Sequence, residues 1–175
     1  AAGGRVLLEK LSLMHVRFME ERDIPAMITL GSVMHREAPE YADFQFDEGK
    51  LERLAWACLS ERHWCAIVAE TEVNGETRVV GFLVAASVET FFGPDRFTED
   101  LAFYVMPGFR GTSAAIRMLT LLEAWSEMVE SKRIRIGITT GINGDVAGRF
   151  LLRMGYADTG ALYSKTISPL LDKSV

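Results

Sequence analysis

Cysteine and histidine are scarce in this sequence. Cys58 and Cys65 are its two thiols, with no C-x-x-C pair and no His–Cys ligand spacing beside them. That argues against a disulfide-built secreted scaffold and leaves two reduced, partly buried thiols as the expectation. His15, His35 and His63 are scattered, so an H-E-x-x-H metal site is absent and no metal is expected. Positive charge is not in excess: 19 Lys and Arg face 24 Asp and Glu, a net charge of −5. A general nucleic-acid binder would carry a basic face instead. The longest apolar run, Val79 to Val88, is too short to span a bilayer. Repeats, low-complexity tracts and internal linkers are also missing.

What is present fits one domain. The 175 residues are 49% hydrophobic and 25% charged, enough for a core and an ordinary surface. Residues 1–13 open with Ala1-Ala2-Gly3-Gly4 and show no regular pattern or signal-peptide layout. They read as a leader outside the domain, which is placed at 14–175, and a cytoplasmic location is expected.

The periodicity changes repeatedly along the chain. Alternation over Met14–Met19 predicts a strand, and Asp23 as N-cap with Pro25 in the first turn predicts a helix. Residues 35–46 break that pattern, and a second helix is expected from about Asp47 to Arg62. Strands follow at Trp64–Glu70 and Arg78–Val88, joined around Asn74-Gly75 by a hairpin whose polar flanks suggest a loop longer than two. A loop is expected over Phe91–Arg96 and a strand over Asp100–Met106. A long helix over Ser113–Glu130, a strand over Ile134–Thr139, a helix over Asp145–Met154 and two short strands ending near Ile167 complete the reading. The order is β-α-α-β-β-β-α-β-α-β-β, a mixed α/β (α+β) sheet flanked by helices.

Chemistry concentrates between Glu99 and Ala115. Pro107 ends the strand because it has no N–H to give, and Gly108 and Gly111 permit backbone shapes closed to other residues. Small residues from Gly111 to Ala115 let the first N–H groups of the next helix approach an anion, with Arg110 adding positive charge. An ordinary strand–turn–helix link would also favour Pro and Gly.

Val105-Met106-Pro107 followed by Arg110-Gly111-Thr112-Ser113-Ala114-Ala115 resembles motif A of the GNAT superfamily of N-acetyltransferases, written R/Q-x-x-G-x-G/A after a strand ending in V-x-P. The likeness runs from about Val16 to Ile167. It takes in the opening strand with Arg17, the helix beginning Asp23-Ile24 and the segment Arg153-Met154-Gly155-Tyr156. Ala147 and Gly155-Tyr156 match the family's A-x-x-x-Y-x-x-x-G-F signature. Two positions depart from the pattern. Ser113 stands where a glycine is usual, and Leu151 takes the place of the tyrosine that often protonates the departing thiolate.

The resemblance implies a GNAT-like acyl-CoA N-acyltransferase fold and an acetyl-CoA-dependent enzyme. The pyrophosphate would sit on Arg110, Gly111, Thr112, Ser113, Ala114 and Ala115. Pantetheine would run along Phe103, Tyr104 and Val105 in a gap between two parallel strands. Asn143 is either a further cofactor contact or a helix-capping turn residue. The partner implied is a primary amine on a small molecule or a protein, with no nucleic acid and no membrane involved and a homodimer left open.

At pH 7 an alkylamine of pKa ~10 is about one part in a thousand neutral, a handicap of roughly 4–5 kcal/mol, so a base is expected. Glu99 is the preferred base, because some family members place a catalytic glutamate at the start of this strand. Alternation puts either Glu99 or its neighbour Asp100 in the cleft, not both. Residues 35–46 offer a second set, His35 and Glu37 with Tyr41 and Phe44. Met34-His35-Arg36-Glu37 is similar to the Met-His-x-Glu stretch of some phage-type members. His35 reads equally as a helix C-terminal histidine. Tyr104, Tyr156 and Tyr163 are the replacement acids available. Two rivals stand beside the enzyme: a non-catalytic acyl-CoA-binding protein of the same fold, favoured by Leu151, and a small interaction protein whose loop is only structural.

Overall fold

The computed structural model describes residues 14–167, so the predicted leader over 1–13 lies outside the described residues. Five strands form one sheet in the order β1-β2-β3-β4-β5: β1 (His15–Phe18), β2 (Trp64–Val73), β3 (Glu76–Thr90), β4 (Gly93–Val105) and β5 (Ser131–Arg135). The first four are antiparallel neighbours, and β5 returns parallel to β4. Helices α1 (Ile24–Glu37) and α2 (Glu48–Ser60) precede β2, α3 (Ala114–Met128) links β4 to β5, and α4 (Gly144–Arg153) follows β5. This is the expected mixed α/β class.

Two apolar cores lie on the two faces of the sheet. On one, Leu83, Ala85, Ile67 and Val105 meet Met118, Leu119, Leu122 and Trp125 of α3. On the other, Phe82, Val84, Val68 and Tyr104 meet Met27, Leu30 and Met34 of α1 and Ala55 of α2. The nearly unbroken apolar run of β3 follows from this, since a strand covered on both faces has no solvent side to keep polar.

Pairing with β3 corrects several boundaries. Val73 faces Glu76, so the first hairpin has the two-residue loop Asn74-Gly75, both residues at positive φ (54° and 81°). These are the conformations a tight primed turn needs, and the polar flanks are simply strand ends. The loop expected over Phe91–Arg96 shrinks to Phe91-Phe92, because Thr90 already faces Gly93. Pro94 is tolerated so early in β4 because the register shifts between Glu89 and Thr90, leaving no ladder bond for it to break. The final two strands are not formed: residues 156–167 carry no strand.

Asp23 stands just before α1, but its carboxylate caps no helix amide. It accepts instead from Glu20 N and from both terminal nitrogens of Arg17 at 2.6 and 3.0 Å, while Arg17 also reaches Glu70 at 2.7 Å. His15 completes the cluster through Glu70 at 3.0 Å. The N-terminal end of α1 is thereby tied to β1 and β2.

Candidate active site

The site begins where two parallel strands separate. Arg96, Thr98 and Glu99 of β4 face Ser131, Ile134 and Arg135 of β5, and no pair is formed beyond Glu99. The strand expected to run to Thr139 stops at Arg135 because its neighbour has turned away. At the fork, Gly137 donates its N–H to Asp100 Oδ1 at 2.7 Å, a side chain standing in for the missing backbone partner. A cavity of about 470 Å³ opens there and runs to the start of α3. Phe103, Tyr104 and Val105 form one wall, Ile136–Thr140 the other, and Met34 and Tyr41 reach in from the α1 side.

Asp100 lines this cavity and Glu99 does not. Pairing with Arg135 still closes the sheet at Glu99, and the cavity begins one residue further on, where residues of both faces of β4 line it. A bulge then decides which face each carboxylate takes. Ala85 faces Asp100 and Val84 faces Ala102, so Leu101 is an extra residue without a partner. Counted back from Val105 and Phe103, strict alternation would put Glu99 on their face. The inserted Leu101 gives that place to Asp100 and turns Glu99 over. Burial pushes the Asp100 carboxyl up to about 6, held back by the Gly137 N–H and helped by the charge of Glu99. A carboxylate of that basicity suits proton transfer near neutral pH.

At the far end, Gly111 adopts φ +76°, and a Cβ there would meet nothing within 4 Å. Glycine is required by the conformation, not by crowding. Gly108 has no positive φ, so only one of the two glycines does the conformational work expected of both. Thr112 Oγ1 donates to Phe109 O and accepts from Ala114 N. Ser113 Oγ is buried with no hydrogen-bond partner among the described residues. An open glycine cradle, a helix start and an orphaned hydroxyl together fit an anionic group such as a pyrophosphate.

Arg110 does not project into that cradle. Its Nε donates to Val105 O at 2.8 Å, and its two terminal nitrogens grip Glu37 Oε1 and Oε2 at 2.7 and 2.8 Å. The guanidinium lies 5.4 Å from the centre of the Tyr104 ring, and Tyr104 donates its hydroxyl to Glu37 Oε2 at 2.6 Å. Hydrogen bonding from Arg110 holds the Glu37 carboxyl below the usual range. Burial, then Glu37, raises the Tyr104 phenol to about 12. Glu37 is thus a fully engaged carboxylate and a weak base.

The remaining candidates divide by position. His35 Nε2 is bonded to Phe44 O at 2.9 Å and its ring stacks on Tyr41. Asn143 sits in the left-handed region at the start of α4, caps no helix amide with its side chain, and lines the cavity. Leu151 lines it too. Of the three tyrosines expected as replacements, Tyr104 is spent on Glu37, Tyr156 donates to Glu123 at 3.3 Å, and Tyr163 is 91% exposed, whereas Tyr41 lines the cavity. The Cys58 and Cys65 thiols are both pushed up to about 12 by burial, which makes them inert. Among the described residues no cluster of His, Cys, Asp or Glu could hold a metal, and no helix is long and apolar enough to cross a membrane.

A sequence model of the acetyltransferase (GNAT) family matches residues 30–156. The chain belongs to that family. No curated protein sequence matches this GNAT chain, whereas solved structures do. A predicted acetyltransferase with acetyl-CoA from Clostridium acetobutylicum is 17% identical with a TM-score of 0.67, over 88% of this chain and 96% of that one. A ribosomal-protein-alanine N-acetyltransferase from Brucella melitensis biovar Abortus 2308 is also 17% identical, with a TM-score of 0.65 over 89% and 99%. An aminoglycoside acetyltransferase from an uncultured soil metagenomic sample, in complex with sisomicin, is 13% identical with a TM-score of 0.65 over 90% and 98%. At these identities the likeness establishes the fold. GNAT acetyltransferases are acyltransferases that use acetyl-CoA.

Proposed function

We infer that this GNAT chain transfers an acetyl group from acetyl-CoA to a primary amine by direct attack. The observation that carries the reading is the fork between β4 and β5, which joins a basic carboxylate at one end of a cavity to an anion-accepting helix start at the other.

Acetyl-CoA would supply an activated acetyl thioester. Beyond Glu99 the edge of β4 has lost its β5 partner, so the backbone of Phe103 and the N–H of Val105 face a chain of amides, while the backbone of Tyr104 turns to β3 and the Val105 carbonyl is held by Arg110. Gly111–Ala115 receive phosphate through backbone N–H groups, and Asn143 adds a side-chain amide from the far wall. Asp100, in place of Glu99, accepts the proton of the incoming ammonium. His35 and Glu37 shape the acceptor side rather than move protons, since both already hold strong partners. The acceptor is an amine on a small molecule or a protein.

Three measurements test this. Calorimetry should show coenzyme A binding at micromolar to millimolar concentration, and no binding would remove both the enzyme and the acyl-CoA-binder readings. Thiol release with a panel of amines separates those two. Asp100→Asn should lower turnover by roughly 10²–10⁴-fold, the usual worth of a general base, while Glu99→Gln stays active. The reverse result would return the role to Glu99.

The same substitution has a stability signature. The folded Asp100 carboxyl keeps its proton to about pH 6, above its ordinary 3.8. Its contribution therefore falls as pH rises from about 4 to 6, and above that window the charged form is a standing cost. Asp100→Asn should raise Tm at pH 8, by about 1–2 kcal/mol of stability, and do little at pH 4. An inactive variant with no gain at pH 8 would mean that Asp100 is not held in a desolvated place.

A further inference from the structure

We propose that Glu37 is a positioning residue for the donor-binding loop, and that Arg110 works by fastening that loop instead of touching the phosphates. The proposal rests on the reading above only in naming coenzyme A as the ligand.

Consider what the Arg110 side chain closes. Its Nε binds Val105 O, the last residue of β4. The side chain therefore spans the single turn Pro107–Phe109 and clamps the strand end to the loop that follows. The other two bonds go to Glu37, on the final residue of α1 and 73 residues away in sequence. One carboxylate thus accepts two parallel bonds from Arg110 and a third from Tyr104 of β4. Three elements meet at it: α1, β4 and the loop.

Local physics by itself would not place a carboxylate here. A helix C-terminus is a poor place for a carboxylate, because the helix dipole already puts negative charge there. Glu37 is tolerated because a planar guanidinium meets it in bidentate fashion. Conversely, an arginine aimed at a pyrophosphate would present its fork to the cradle at Gly111. Here the fork is filled by a carboxylate that competes with any phosphate for the same donors. The anion site is left to backbone N–H groups, and their direction depends on how the loop is held. The same α1 end carries Met34 and is followed by Tyr41, both lining the cavity, so the clasp joins the acceptor wall to the donor loop.

The two roles of Arg110 predict opposite signs for one variant. If Arg110 fastens the loop, Glu37→Ala releases the fastener, and the Kd for coenzyme A rises by about tenfold, the order expected of a charge-assisted bidentate bond. Arg110→Ala should do the same, and the double variant should be no worse than the weaker single one. If Arg110 binds phosphate, Glu37→Ala frees a cation and leaves affinity unchanged or improved, while Arg110→Ala alone weakens it. That pattern overturns the proposal. Glu37→Gln keeps one acceptor oxygen and should recover part of the loss. In steady-state kinetics the loss should fall on KM for acetyl-CoA more than on kcat. Hydrogen exchange of residues 107–113 in the ligand-free protein supplies a readout independent of the donor. It should quicken in Glu37→Ala and, more weakly, in Tyr104→Phe, a variant that removes one bond and keeps the ring. Unchanged exchange in both would sink the clasp even if coenzyme A binds, and quickened exchange with no coenzyme A binding in the unaltered protein would sink the donor reading alone.

Discussion

Helix α1 is held at both ends by an arginine, and the two attachments differ in kind. At its start, Asp23 and Glu70 share Arg17, with side chains only 5%, 15% and 15% exposed. At its end, Glu37 meets Arg110 with 28% and 30% of the side chains exposed. Asp23 lies where the helix dipole favours a carboxylate, whereas Glu37 lies where it is disfavoured. The first cluster ties neighbouring strands together and does not line the cavity between β4 and β5. The second sits beside the cleft and joins α1 to β4 and to the loop before α3. Both clusters join distant parts of the chain, 53 residues apart for Arg17–Glu70 and 73 for Arg110–Glu37, so what separates them is burial and their place relative to the cleft.

The comparison breaks first at Asp23. Asp23→Ala leaves Arg17 with Glu70 alone and should cost about 2–3 kcal/mol, below the full penalty for orphaning a buried charge because one partner remains. For a chain of this length that lowers Tm by roughly 5–10 °C, read by thermal denaturation. Coenzyme A affinity of the folded variant should not change. A loss of affinity equal to that of Glu37→Ala would erase the distinction between the two ends.

Acid should separate the ends next. Arg17 holds Asp23 and Glu70 below their ordinary values, opposing the upward push of burial on Asp23, and Arg110 does the same for Glu37. Each lowered carboxylate contributes stability that is complete at neutral pH and is lost as pH falls below about 4 through the depressed values. Denaturant midpoints between pH 7 and pH 2 should therefore fall in that acid range, more gently in Asp23→Ala than in the parent chain. An equal slope in both would show that the Arg17 cluster does not carry the acid sensitivity.

The smallest effect belongs to Glu37 itself. Its partly solvated pair should contribute about 1 kcal/mol or less to global stability, so Glu37→Ala should shift Tm by only a few degrees. A fall as large as that of Asp23→Ala would make the clasp a general support.

Much of the site was legible before folding, and the omissions have causes. The stretch Pro107–Ala115 announced itself because turn residues and small residues act locally. The Asn74-Gly75 hairpin and the apolar stripe of α3 were visible for the same reason. Which of Glu99 and Asp100 lines the cavity was not. It depends on the unpaired Leu101, and a bulge is a property of two strands in register. The short β5 was hidden likewise, since a strand ends where its partner leaves. The bond between Glu37 and Arg110 left no trace in spacing, because charged residues 73 apart carry no periodic signal.

Local order in this protein, then, came from the sequence itself. Proline and glycine punctuation, helical and strand periodicity and the small-residue loop act over a few residues, where backbone sterics dominate. The finer geometry of the candidate site came from tertiary packing. The fork at Asp100, the inversion of Glu99 and the capture of Arg110 by Glu37 each need two distant segments brought within hydrogen-bond reach. Short-range sterics select local shapes, while electrostatics and register select partners only after the chain has closed on itself.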